Sequence, residues 1–178
     1  KSKGIKVIVT DHHNIEETIA DCIVIDPKKP KKFYMEPDKE AYPCRDLAGC
    51  GVAFKFIQAL QRTAEFPKSV INDALDMVAV GTVGDIVSLK GENRTLTKYG
   101  IAIANTGRRA NLRKFAEAIS IDKITSENIS FGIVPHINAA GRMDSAMNAV
   151  ELFNSQDSAV VQEKIEKLIS LNNERKRT

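Results

Sequence analysis

The chain has 178 residues, of which 43% are hydrophobic and 28% are charged, and its formal net charge is +3. These proportions exclude a mostly disordered chain, and no apolar run approaches the roughly 18 residues of a membrane span. The three cysteines lack a CxxC spacing, which argues against a zinc ribbon or a disulfide scaffold and indicates a reducing compartment. We therefore expect a soluble cytoplasmic protein with no membrane partner, whose mild charge permits but does not require a polyanionic partner.

Two short apolar runs near the N-terminus predict parallel β-strands. Residues 5–9 (IKVIV) lead towards a DHH tripeptide at 11–13, and residues 21–26 (DCIVID) are stopped by Pro27. Strands this short and this apolar are typically buried in a parallel sheet. Because such a strand needs neighbours on both sides, we expect residues before Lys1 to belong to the same sheet; the alternative is an edge strand at a natural terminus.

The connection after the second strand is rich in lysine and proline. Proline fixes the backbone and removes a hydrogen-bond donor, so residues 27–46 predict an exposed loop. The loop contains four lysines that either contact phosphate groups or are simply solvated, namely Lys28, Lys29, Lys31 and Lys32.

The rest of the chain is predicted to be helical because its apolar residues recur at helical spacing. Pro135 is expected to end one of these helices, and Asp144 and Asp157 are expected to cap two others. The predicted fold class is α/β, with a partial parallel sheet of two or more strands at the N-terminal end followed by a mostly helical region. The helical segments are residues 47–60, 68–89, 93–105, 112–119, 126–134, 146–153 and 157–173.

All three histidines lie in two segments without apolar periodicity, with His12 and His13 after the first strand and His136 in the stretch HINAAGRM. Asp11 and the two histidines after it stand at the C-terminal end of a predicted parallel strand, where open α/β sheets place their sites. Imidazole and carboxylate groups suit a Zn, Mn or Fe site; the alternative is a capped strand end. Neighbouring side chains on extended backbone point in opposite directions. We therefore expect one histidine to bind an ion and the other to face a phosphate oxygen.

Three more polar residues stand among apolar or small neighbours. Asp85 ends the stretch VGTVGD, and an aspartate there is costly to bury unless it is paired or metal-bound; the alternative is a cap or turn residue. Asn138 and Arg142 belong to a small-residue segment predicted as a loop, in which Gly141 allows a close backbone approach. The guanidinium suits a phosphate, and the alternative for Arg142 is a structural bridge to a carboxylate.

Four segments together resemble the RecJ-type exonucleases of the DHH phosphoesterase superfamily, in order and in spacing. The resemblance covers nearly the whole chain, and residues 171–175 (LNNER) are similar to the start of the family's interdomain helix. The first segment alone marks only the superfamily, and the other three point to RecJ. The segments are residues 9–13 (VTDHH), 47–55 (LAGCGVAFK), 80–87 (VGTVGDIV) with 92–94 (ENR), and 137–143 (INAAGRM).

The resemblance implies a single-strand-specific DNA exonuclease that acts from the five-prime end in DNA repair and recombination and depends on two Mn or Mg ions. His12 and Asp85 are the implied metal ligands. His13 is implied to face the scissile phosphate, with Asp11 supporting its neighbours.

The resemblance also implies a phosphate-binding set of His136, Asn138 and Arg142. His136 stands where the family has an arginine, and Gly84 stands where it usually has an alanine. Both departures affect the phosphate contacts, and neither removes a metal ligand. Because aromatic residues are only 6% of the chain and tryptophan is absent, the sequence predicts no base-stacking platform.

On the same resemblance, residues 1–170 are the C-terminal portion of an incomplete DHH domain, and residues 171–178 start the interdomain helix. The family's further metal-binding aspartates include an Asp-x-Asp pair, which this sequence does not contain. We therefore expect the chain alone to be inactive or nearly so and to bind metal weakly. The implied partners are single-stranded DNA and a single-strand-binding protein or a helicase. The alternatives are a DHH phosphatase of nucleotides or short oligonucleotides, and a non-catalytic nucleic-acid-binding scaffold.

Overall fold

The computed structural model describes residues 3–15, 17–33, 40–64 and 66–177. By its internal contacts the chain divides into two compact units, Lys1–Lys98 and Tyr99–Thr178. The first unit contains two parallel strands and the second is helical, so the predicted α/β class is confirmed. Within the described part, no helix is both long and apolar enough to cross a membrane.

The two predicted strands are present and parallel. Strand β1 (Ile8–Thr10) pairs with β2 (Ile23–Ile25), with Ile8 opposite Ile23 and Thr10 opposite Ile25. The prediction that both strands are buried is wrong, because Ile8 is 47% exposed and Ile23 is 54% exposed. Side chains of a strand are buried by elements that pack on the faces of its sheet, and the described residues leave the face with Ile8 and Ile23 partly uncovered.

The lysine-rich segment after β2 is only partly exposed. Arg45 donates a hydrogen bond to the carbonyl oxygen of Lys28 at 2.9 Å, which ties the two ends of the segment together. A single 3-10 turn covers Lys31–Phe33, where Lys31 and Lys32 are exposed. Residues 34–39 of the predicted loop lie outside the described residues.

The helical part of the first unit consists of α1 (Gly49–Gln61), α2 (Lys68–Gly84) and the start of α3 (Gly91–Ala104). Helices α1 and α2 pack through a buried cluster of Phe54, Ile71 and Val78. The predicted helix over residues 68–89 ends earlier, at Gly84, since Ile86 has a φ of 58° that a right-handed helix does not allow.

The second unit contains α4 (Ala110–Ala118), α5 (Ser126–Asn128), α6 (Val134–Met143), α7 (Met147–Asn154) and α8 (Ser158–Arg175). Their fully buried side chains form its core, and they include Leu112, Phe115, Ala140, Leu152 and Leu168.

The predicted caps of the last two helices have different outcomes. Asp157 caps α8 as predicted, with its carboxylate accepting the N–H of Ala159 at 2.8 Å. Asp144 instead follows the last residue of α6, and its carboxylate forms an ion pair with Lys167 at 2.8 Å. The residue before α7 is Ala146, which has no capping side chain.

Pro135 does not end a helix. Thr125 caps α5 by accepting the N–H of Asn128 at 3.1 Å, and a π turn over Ile129–Ile133 then leads directly into α6. Pro135 lies in the first turn of α6, where a residue without an N–H is tolerated. The stretch predicted as a small-residue loop is therefore helical.

Candidate metal and phosphate sites

The side chain of Asp11 organises the turn that follows β1. Its Oδ1 accepts the backbone N–H of His12 at 2.7 Å and that of His13 at 3.3 Å, and it lies 2.6 Å from Nδ1 of His13. The hydrogen bond from the His13 ring is the main cause that lowers the pKa of Asp11. Asp11 therefore orients the two histidines, and the supporting role that the resemblance implies for it stays a prediction.

His12 and His13 do not point apart. Their ring centroids are 4.4 Å from each other, with an angle of 46° between the ring planes. The expectation of opposite directions assumed extended backbone, whereas β1 ends at Thr10 and the carboxylate of Asp11 bends the next two residues into a turn. The two rings thus form a single imidazole pair.

The structure brings His12 and Asp85 together from distant parts of the first unit. Nδ1 of His12 lies 3.4 Å from Oδ2 of Asp85, and the side chains are 18% and 36% exposed. This distance is long for a hydrogen bond. Two adjacent ligands on one octahedral ion with ligand distances near 2.1 Å are separated by about 3 Å, so the pair fits the donor spacing of a shared divalent cation.

Gly49 makes room for the His12 ring. A β-carbon at this position would lie 3.1 Å from Cδ2 of His12 and 3.6 Å from its Nε2. Gly49 is also the first residue of α1, so the imidazole packs against the start of that helix. The sequence presents this glycine within the LAGCG segment, but no pattern in the sequence reveals that it contacts a histidine.

Asp85 is positioned by the end of α2. Its backbone N–H donates to the carbonyl oxygen of Gly81 at 2.9 Å, which completes the last helical turn. Ile86 then adopts its left-handed conformation, which costs a non-glycine residue about 1–2 kcal/mol. The turn therefore holds the carboxylate beside the helix end, at the cost of local backbone strain.

The described residues supply two donors to the candidate metal site. Across residues 3–15, 17–33, 40–64 and 66–177, no group of three His, Cys, Asp or Glu side chains is arranged to hold an ion. Mn and Mg take about six ligands, so His12 and Asp85 alone would not complete the coordination shell of such an ion.

Asp26 is a buried carboxylate to which the sequence assigns no role. It follows β2 directly and is only 8% exposed. Its Oδ1 accepts the backbone N–H of Lys28 at 2.7 Å, and its Oδ2 has no hydrogen-bond partner among the described residues. Burial raises the pKa of Asp26. The only sequence signal for Asp26 is its position. It directly follows β2, just as Asp11 directly follows β1.

We expect Asp26→Asn to stabilise the protein at neutral pH. Because the pKa of Asp26 is raised in the folded state, its ionisation opposes folding as the pH rises above the unfolded value near 4, and the cost is complete above the folded value. The neutral amide removes that cost, so we expect Asp26→Asn to have a higher Tm than the wild type at pH 7. Thermal unfolding of the wild type and of Asp26→Asn from pH 3.5 to 8 measures the difference in Tm.

The exposed Asp46 provides the matched control for this prediction. Asp46→Asn should change Tm little at any pH, whereas the stabilisation by Asp26→Asn should shrink to near zero below about pH 4. A Tm for Asp26→Asn that falls at pH 7 would mean that the carboxylate stabilises the fold in its ionised form.

Two of the three predicted phosphate-binding residues share one exposed helix face in the second unit. Asn138 and Arg142 lie four residues apart on α6 and are exposed, so their side chains are neighbours on the helix surface. Neither forms a hydrogen bond or an ion pair with the part of the chain that the structure describes. Both side chains are therefore available to a ligand.

His136 has the contacts of a packed imidazole. Its Nδ1 lies 2.7 Å from the carbonyl oxygen of Gly132, and its ring meets Phe115 edge-on at 5.7 Å between centroids. Burial is the main cause that lowers the pKa of His136, and Arg175 and Lys176 lower it further. A neutral ring whose Nδ1–H donates to Gly132 has only an acceptor at Nε2. The predicted phosphate contact of His136 stays a prediction.

These contacts define a protein with an imidazole–carboxylate pair at the edge of a parallel sheet and an amide–guanidinium pair on a helix. Residues 1–82 match the DHH family, N-terminal domain. Residues 1–82 are thus similar to a DHH-family domain, and the relatives of the whole chain indicate a branch of that family.

The relatives include RecJ exonucleases. The chain is 33% identical to the single-stranded-DNA-specific exonuclease RecJ of Bacillus subtilis, a match that covers 99% of this chain and 21% of the relative. It is 35% identical to the RecJ of Thermus thermophilus, over 95% of this chain and 23% of the relative. The predicted resemblance is therefore confirmed, and the chain spans less than a quarter of the length of these two relatives.

Solved RecJ structures share the fold. A crystal structure of exonuclease RecJ bound to manganese superposes with a TM-score of 0.81 at 34% identity, covering 98% of this chain and 42% of that one. RecJ from Thermus thermophilus in complex with Mn2+ gives a TM-score of 0.82 at 34% identity, covering 99% and 25%. The same relative has also been solved in complex with Mg2+. The metals predicted from the sequence are those bound by these relatives.

Proposed function

We propose that this chain forms part of the active site of a metal-dependent phosphodiesterase that removes nucleotides from the five-prime end of single-stranded DNA. The observation that carries the proposal is the 3.4 Å approach of His12 to Asp85 in a chain homologous to RecJ exonucleases. A histidine and an aspartate that meet at a sheet edge, partly open to solvent, are suited to bind a divalent cation.

In this proposal the side chains of the first unit have separate tasks. His12 and Asp85 bind a Mn or Mg ion of a two-metal centre. When bound, such ions lower the pKa of a water molecule and neutralise charge on the phosphoryl oxygens. Asp11 holds the ring of His13 through the 2.6 Å contact, and His13 faces the scissile phosphate, where its exposed ring can donate a proton or a hydrogen bond.

The second unit contributes phosphate contacts in the same proposal. The Arg142 guanidinium binds phosphate oxygens in a forked geometry, and the Asn138 amide donates a further hydrogen bond. Both side chains are exposed and without partners in the described ranges, which supports this assignment. Such contacts are made to the backbone and carry no base specificity.

We further propose that residues 1–170 are the C-terminal portion of the DHH domain and that residues 171–178 start its interdomain helix. With two metal-binding side chains in its described part, the chain alone would bind Mn weakly and be inactive or nearly so. The proposed setting is DNA repair and recombination in the cytoplasm, with a single-strand-binding protein or a helicase as partner.

Substrate preference tests the proposed activity in the full-length protein. Three substrates are compared in Mn2+, namely a long single strand labelled at its five-prime end, the same strand in a blunt duplex, and a dinucleotide. We expect the long single strand to be degraded fastest, with early release of the labelled mononucleotide. A preference for the dinucleotide favours the DHH phosphatase alternative, and no turnover of any substrate favours the non-catalytic scaffold.

A further inference from the structure

The π turn over Ile129–Ile133 exposes a phenyl ring. Phe131 is 80% exposed, whereas Ile129 and Ile133 on either side are fully buried. Leaving a phenyl side chain in water forgoes the gain from its burial, which is roughly 1.5–3 kcal/mol. π turns of this kind occur frequently at functional sites. Because aromatic residues are only 6% of the chain, no base-stacking platform is evident from the sequence. The exposed ring of Phe131 is seen only in the structure.

Phe131 shares a helix face with the two proposed phosphate-binding residues. Residues 126–143 run continuously through α5, the π turn and α6. Asn138 and Arg142 are about one α-helical turn apart, and Phe131 lies in the wider π turn that precedes them. All three side chains are exposed, whereas Ala139 and Ala140 on the opposite side are fully buried. The face therefore presents an aromatic ring, an amide and a guanidinium in a row roughly 16 Å long.

The charge on this face suits a polyanion. Arg142 has no acidic partner among the described residues, and the carboxylate of the nearby Asp144 is already paired with Lys167. Aromatic rings stack on any base because every base has a π face, and single strands expose their bases for such contacts. One base of a single strand can thus stack on the Phe131 ring while a phosphate of the same strand binds the Arg142 guanidinium.

We propose that Phe131 is a base-stacking residue for single-stranded nucleic acid, acting on the same strand whose phosphates contact Asn138 and Arg142. This inference rests on the proposed function for the identity of the strand. The proposed contact does not depend on which base stacks on the ring, but it requires that the base is unpaired. A duplex, whose bases are already stacked on one another, cannot make this contact.

Binding of a fluorescent oligothymidylate and of an abasic oligomer of equal length tests the proposal in the full-length protein. The assay is run without divalent metal so that no cleavage occurs. Phe131→Ala should weaken binding of the oligothymidylate roughly five- to hundredfold and leave binding of the abasic oligomer unchanged. Phe131→Trp should restore the wild-type affinity. Arg142→Ala should weaken binding of both oligomers and reduce the dependence on salt.

Tyr99 provides the matched control, because it is a second exposed aromatic residue, on α3, at 58% exposure. Tyr99→Ala should leave binding of both oligomers unchanged. Equal oligothymidylate affinities for Phe131→Ala and wild type, with equal Tm values, would overturn the stacking proposal. So would a change in oligomeric state of Phe131→Ala by sedimentation, because the ring would then contact protein.

The two proposals fail in distinguishable ways. If the wild-type protein degrades single strands in Mn2+ and Phe131→Ala binds them normally, only the stacking role is wrong. If the wild-type protein neither degrades nor binds single strands, the proposed function is wrong and the stacking role falls with it. Where stacking does contribute, Phe131→Ala should raise KM for the long strand with little change in kcat, since the ring contacts a base and not the phosphate that reacts.

Discussion

His12→Ala and Asp85→Ala should each lower the exonuclease activity of the full-length protein by at least about a hundredfold. The two side chains approach to 3.4 Å, and loss of either one leaves the proposed ion with a missing ligand. Raising the Mn2+ concentration should recover part of the activity, because the defect is in ion binding. Initial rates on a long single strand, measured across a Mn2+ titration, provide the test.

The double variant separates a shared ion from two independent roles. If His12 and Asp85 bind the same ion, the variant with both alanines should be little worse than either single variant, because groups that act as a unit are not additive. Asp122→Asn is the matched carboxylate control, since Asp122 is fully exposed beside Arg113, and it should retain wild-type activity. Losses that multiply in the double variant, or full activity in either single variant, would contradict the shared-ion assignment.

The sequence predicted the features of this site that depend on local pattern. Short apolar runs gave β1 and β2 and their parallel pairing, and the position after a strand indicated where Asp11 and His12 lie. The meeting of His12 with Asp85 followed from resemblance to a family. No local pattern specifies which residues of two distant segments come into contact.

The features that the sequence missed depend on geometry between elements or on side-chain contacts. The two histidines share a direction because the Asp11 carboxylate accepts both of their backbone N–H groups, a turn that overrides the alternation expected of a strand. Pro135 reads as a helix end, yet the π turn before it leads into a helix that accepts proline in its first turn. The roles of Gly49 and Asp26 appear only when neighbouring elements are in place.

The close packing of α1 on α2 predicts a large effect for a single added methyl group. A β-carbon at Gly81 would lie 2.7 Å from Sγ of Cys50 and 3.1 Å from its Cβ, so the Cys50 side chain or one of the helices must shift. Alanine in a helix gains about 1 kcal/mol over glycine, whereas overpacking a buried contact costs about 1–3 kcal/mol. We expect overpacking to dominate, so that Gly81→Ala lowers Tm by about 2–6 °C.

A variant of Cys50 tests the cause of this destabilisation, because Sγ of Cys50 is the atom that the new methyl group would contact. In the Cys50→Ala background, Gly81→Ala should destabilise the protein much less, with a coupling energy of about 1 kcal/mol between the two positions. Gly51→Ala, whose β-carbon would lie 3.4 Å from the nearest atom, Cδ2 of Leu47, should not lower Tm, because it gains helix propensity without a clash. Strictly additive Tm shifts would show that contact with Cys50 does not limit this site. Because Asp85 directly follows the last residue of α2 and the His12 ring packs on α1, the shift in Gly81→Ala should also weaken Mn2+ binding, and Cys50→Ala should restore it.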